Sequence, residues 1–166
     1  ASSFQNPKLL QRLHDTLSSG PLLGRARRLE IEITENTLMA DIEHGSHVLR
    51  QLRELGVNVA IDDFGTGYCS LSYLKKLPIQ SIKIDKTFVI NMAQDASDAA
   101  IVRSTIELAH NLGYEVIAEG VENGDTLALL TDMGCDNAQG YFMGYPMPVE
   151  QIPRWLAESP WSPSRH

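Results

Sequence analysis

The sequence predicts an α/β fold of consecutive βα units, arranged as part of a TIM-like (β/α) barrel. Three observations carry this reading. Helical and strand-like periodicities alternate along the 166 residues; the strand-like runs are four to six residues long and rich in β-branched side chains; and each run ends at or near a polar group. Successive parallel strands point their carboxyl ends at one face, which is where such folds assemble sites. An open doubly wound sheet would instead concentrate its ligand groups at one switch point, so polar termini on every strand favour a barrel. A complete eight-stranded barrel takes roughly 250 residues. Five strands therefore predict a partial barrel of about five C-terminal βα units, with the first three strands not included.

Leu9, Leu10, Leu13 and Leu17 recur at helical spacing and predict the first helix. The run Leu29 to Thr34 follows as a strand that delivers Glu32. Val48, Leu49, Leu52 and Leu55 predict a second helix, stopped by Gly56. The apolar run Val57 to Ile61 is closed by Asp62-Asp63, which opens a loop carrying Gly65 and Gly67. Ser81 to Asp85 delivers Lys83. A helix over Ala99 to Asn111, ended by Gly113, precedes the strand Glu115 to Glu119. A last helix over Asp125 to Met133 leads to Cys135 to Gln139, and a Pro/Ser-rich tail closes the chain. The leucines and isoleucines of these helices are core positions. A single domain over residues 4–157 and a tail over 158–166 are expected.

Composition is that of an ordinary globular protein, 43% apolar and 21% charged. The formal charge of −7 and pI near 5.1 argue against a surface that tracks a nucleic-acid polymer. The basic run Arg25 to Arg28 reads as a solvated surface. Cys69 and Cys135 form no C-x-x-C pair, which points away from a zinc knuckle or a disulfide framework and towards a reducing, cytoplasmic setting. No apolar run approaches the ~20 residues that cross a bilayer, so no direct membrane contact is expected from this chain. The histidines form no metal-binding pair, and no phosphate-binding loop or dinucleotide fingerprint is present.

Two adjacent carboxylates at a strand end are costly to bury unless cations compensate them. Oxygen ligands of this kind hold hard divalent ions, so Asp62 and Asp63 predict a site for Mg²⁺ or Mn²⁺.

The strings Glu32-Ile33-Thr34-Glu35, Asp62 to Tyr68, Lys83 to Lys86, Ala118 to Glu122 and Gln139-Gly140-Tyr141 occur in that order. Together they resemble the EAL family of bacterial phosphodiesterases, which open cyclic di-GMP to linear pGpG on a TIM-like barrel with one antiparallel strand. Any one string is weak evidence; five in order with compatible separations are specific. Cys69 stands where serine is usual, and Met143-Gly144-Tyr145 replaces a more polar run. The Glu-Ala-Leu signature, and the asparagine of the next strand, would lie upstream of Ala1. The chain is thus expected to be a truncated catalytic domain, impaired when alone.

The resemblance implies a two-metal site. Glu32 and Asp62 would bind one ion, and Asp62 would bridge to a second held also by Asp63 and Glu119. Two such ions clamp the attacking and leaving oxygens of a phosphoryl displacement and acidify water. Lys83 beside them would lose its proton and orient or deprotonate that water; the alternative is a structural salt bridge. Gln139 would position water or phosphate, or merely satisfy backbone groups. Glu35 would anchor the loop, Glu122 would supply supporting hydrogen bonds, and Asp85 would serve substrate or structure. Gly65 and Gly67 would give the loop its backbone freedom. Tyr68 and Leu71 would face a second copy in a homodimer, or pack inside. A sensor or GGDEF-type domain could precede the chain in its parent protein. The competing readings are a receptor that binds cyclic di-GMP without cleaving it, and a regulatory or dimerisation module.

Overall fold

The computed structural model describes residues 8–19, 24–67 and 70–161. After helix α1 (Lys8–Ser18) come β1 (Glu30–Thr34), α2 (Glu35–Ala40), α3 (Ile42–Glu54) and β2 (Asn58–Phe64). Then follow α4 (Leu71–Leu74), β3 (Ser81–Ile84), α5 (Lys86–Val89), α6 (Ala96–Asn111), β4 (Glu115–Glu119), α7 (Gly124–Asp132), β5 (Asn137–Gln139) and α8 (Ile152–Glu158). The strands form one parallel sheet in the order β1-β2-β3-β4-β5. This is the partial barrel the sequence predicts.

Short polar side chains set the helix starts. Thr34 accepts from Thr37 N, Asp41 from His44 N, Asp95 from Ser97 N and Asn123 from Thr126 N, each satisfying a donor that the first helical turn leaves free. The Asp95 cap starts α6 at Ala96, three residues before the start that its apolar pattern indicates. The short helices α2, α4, α5 and α8 lack the length for a periodic signal.

Strand alternation divides the sheet into two faces. Ile33, Val59, Ile61, Ile82, Ile84, Val116 and Ala118 are buried in the core cluster, together with Val48, Leu49 and Leu52 of α3 and Val102, Ile106 and Ala109 of α6. The residues alternating with them on the strands are Glu30, Glu32, Thr34, Asn58, Ala60, Asp62, Ser81, Lys83, Glu115, Ile117, Glu119, Asn137 and Gln139. This second face is predominantly polar. Ser81 Oγ donates to Glu30 Oε2 across it at 3.3 Å.

β2 departs from the expected strand by running through both aspartates to Phe64. Its register with β3 shifts there: Ile61 pairs with Ile82 and Phe64 with Ile84, so Asp62 and Asp63 together oppose Lys83 alone. At the other end of the chain, the ring of Trp161 lies 5.7 Å from that of Phe142, so the described part of the expected tail touches the domain. No helix is long and apolar enough to cross a membrane among the described residues.

The connection into β4 is held by Tyr114, whose buried hydroxyl lies within hydrogen-bond distance of the carbonyls of Leu74 (2.8 Å) and Leu77 (3.2 Å). Tyr114→Phe removes that bond and takes the hydroxyl donor from the Leu77 carbonyl, while Leu74 O keeps that of Leu77 N. The expected loss is about 1–2 kcal/mol of unfolding free energy in urea titrations; an unchanged midpoint would refute the anchoring role.

Candidate metal centre

The polar face delivers its acidic and basic groups at the carboxyl ends of adjacent strands. Glu32 comes from β1, Asp62 and Asp63 from β2, Lys83 from β3, Glu119 from β4 and Gln139 from β5. Lys83 lies at the centre. Its side chain is 4% exposed, and its ammonium lies 2.6 Å from Glu32 Oε1, 2.7 Å from Glu119 Oε1 and 3.4 Å from Asp62 Oδ1. Burial works against that charge. The hydrogen bonds to Glu119 and Glu32, with the charges of Glu119 and Asp62, outweigh burial and hold the ammonium above the usual lysine range. The expectation of a neutral Lys83 applies to a cation-loaded site; the carboxylates by themselves favour the charged form.

Strict alternation would send Asp62 and Asp63 to opposite faces of β2. The register shift supplies an extra residue, and Asp63 adopts φ 54°, the left-handed region that side chains other than glycine rarely occupy. As a result Asp62, Asp63 and Glu119 each present an oxygen within 4.8 Å of the others. Glu32 is not in that group and joins it through Lys83.

Burial, followed by the charges of Asp62 and Asp85, raises the pKa of Asp63 above the ordinary carboxylate value. Burial would raise Asp85 as well, but hydrogen bonds from the hydroxyl and amide of Thr87, and from Asp63, lower it. The two side chains thus form a hydrogen-bonded pair whose carboxyl groups are shifted in opposite directions. Asp85 also caps α5. Sequence reasoning missed this pairing, although the Asp85-x-Thr87 spacing is that of a side-chain turn.

Asp62 Oδ1 is buried and receives no hydrogen bond from the described residues, although Lys83 Nζ lies 3.4 Å away. A buried acceptor without a donor, in a set of carboxylate oxygens, is chemically suited to a hard divalent cation. The residues present therefore fit the ions that the sequence predicts.

The other expected residues take distinct places. Glu35 is buried, and its Oε2 accepts from Gly65 N at 3.0 Å and Gly67 N at 3.3 Å. Gly65 has φ 100°, whereas Gly67 is required by close approach: a Cβ there would lie 2.7 Å from Glu35 Oε1. Gln139 is exposed and in register with Glu119. Glu122 is exposed beyond the end of β4. Leu71 is 56% exposed rather than packed inside, and Tyr68 lies outside the described residues.

A sequence profile described as the EAL domain matches residues 1–146. MucR of Pseudomonas aeruginosa, a bifunctional diguanylate cyclase/cyclic di-GMP phosphodiesterase, is 46% identical over 124 residues, covering 75% of this chain and 18% of that protein. The solved structure of the PaMucR phosphodiesterase in complex with c-di-GMP superposes with a TM-score of 0.86 at 41% identity, covering 90% of this chain and 60% of that one. The manganese/cyclic di-GMP complex of BlrP1 from Klebsiella pneumoniae does so at 0.76 and 32%, covering 87% and 36%. The chain spans about a fifth of the length of the curated relatives it matches.

Asp63→Gly relieves the left-handed backbone and removes one carboxylate from a crowded cluster. It should stabilise the metal-free protein by about 1 kcal/mol, while weakening Mn²⁺ binding at least tenfold by calorimetry. A destabilised variant with unaltered Mn²⁺ affinity would contradict this geometry.

Proposed function

The chain belongs to the EAL domain family, and from that premise we propose that it carries the larger part of the active site of a metal-dependent phosphodiesterase that hydrolyses cyclic di-GMP to linear pGpG. The observation that carries this reading is the convergence of Asp62, Asp63 and Glu119 beside the buried Lys83. Residues 4–157 form the proposed functional unit.

Asp62, Asp63 and Glu119, with Glu32, would hold Mg²⁺ or Mn²⁺. Bound there, the ions supply Lewis-acid polarisation of the phosphodiester and acidification of water. The chain's own groups do the positioning. Lys83 is fixed between Glu32 and Glu119, where Nζ can orient the attacking water; once the surrounding charge is cationic, Nζ can also accept its proton. Attack at phosphorus breaks one bond to a ribose 3′ oxygen, which leaves with a proton and opens the ring. The Gln139 amide, exposed at the end of β5, can donate to a phosphate oxygen. Glu35 keeps the loop after β2 in place through Gly65 and Gly67. Exposed Leu71 is available to a second copy of the chain, consistent with a homodimer.

Incubation with cyclic di-GMP and Mn²⁺ tests the reading, with pGpG as the expected product. Lys83→Met should lower kcat at least 100-fold with Mn²⁺ still bound. Retained turnover in that variant would refute the chemical role of Lys83. Binding of cyclic di-GMP without product, both by this chain and by a protein carrying the complete barrel, would instead support the receptor reading.

A further inference from the structure

We propose that the groove beside β5 is a nucleobase shelf, on which one guanine of cyclic di-GMP stacks against the Tyr141–Tyr145 pair; this rests on the phosphodiesterase reading above. The two rings are stacked, with centroids 4.7 Å apart and planes at 22°. Both remain in solvent, Tyr141 54% and Tyr145 69% exposed. They border a groove of ≈ 590 Å³ whose lining includes Gln139, Met143, Met147 and Trp155. That volume is in the range of small-molecule sites.

The shelf is tied to the acidic rim by backbone contacts. Phe142 N donates to Val121 O at 3.0 Å, and Val121 N donates to Gln139 O at 3.1 Å. Gly140 lies so close to Val121 that an added Cβ would meet its carbonyl oxygen at 2.1 Å. The turn that carries Tyr141 is thereby pinned against the segment just after Glu119. Gln139 both lines the groove and sits in register with Glu119, so the groove lies beside the strand that carries that carboxylate.

This adjacency selects the occupant. A ligand whose phosphate lies at the carboxylate rim carries its base on a short sugar linkage, and a flat purine is complementary to an exposed aromatic platform.

The test is equilibrium binding of cyclic di-GMP in the presence of Ca²⁺, read by dialysis and by quenching of tryptophan fluorescence in a Trp161→Phe background, which leaves Trp155 as the emitter. Tyr145→Ala should weaken binding at least about fivefold, the loss expected for one stacked base, and Tyr145→Phe should restore it to within about twofold of the unaltered chain. Binding undiminished in Tyr145→Ala, or equally lost in Tyr145→Phe, would overturn the shelf alone. Failure of the unaltered chain to bind cyclic di-GMP would overturn the phosphodiesterase reading and the shelf with it.

Discussion

A β-strand can turn two consecutive side chains towards one face only where its pleat is broken, and at the end of β2 the pleat is broken at Asp62-Asp63. The extra residue and the left-handed Asp63 bring both carboxylates to the polar side of the sheet, opposite Lys83. Without that irregularity Asp63 would face the apolar side, where Ile61 and Ile84 are packed with the helices. The site thus depends on one local departure from regular structure, supported by regular strands on either side. Backbone conformations of this cost persist where the surroundings over-determine them. Here the surroundings are the fully buried β3 on one side and the Glu35-anchored loop on the other.

Charge explains why the arrangement invites a ligand. Glu32, Asp62, Asp63 and Glu119 are four acids around one ammonium. Burial and the like charges of Asp62 and Asp85 raise the pKa of Asp63, the electrostatic cost of crowding these acids together. Lys83 compensates part of the charge, but among the described residues Asp62 Oδ1 still lacks a hydrogen-bond donor. A hard cation meets that deficit without adding bulk, and the sheet holds the donor oxygens in advance.

Much of this was legible in the sequence because the apolar pattern of a βα unit is local. The runs around Ile31, Val59, Ile82, Val116 and Ala138 each gave a strand, and the polar residue near each carboxyl end gave a member of the site. What was not legible depends on contacts between elements. Asp63 reads as a strand terminus until β3 is laid beside it, because a register shift is a property of two strands. Asp85 reads in the sequence as serving substrate or structure without a choice between them; the fold makes it a helix cap that hydrogen-bonds with Asp63. Gly67 has the same letter as Gly65 but a different reason, since the Glu35 carboxylate occupies the space a Cβ would need. Tyr141 and Tyr145 are four residues apart in a turn, and only the folded chain shows them stacked in solvent.

Crystals soaked in Mn²⁺ and measured at the manganese absorption edge test the central claim most directly. The account predicts anomalous difference density between the carboxylates of Asp62, Asp63 and Glu119. Strong density elsewhere on the molecule, with none among those three side chains, would contradict it.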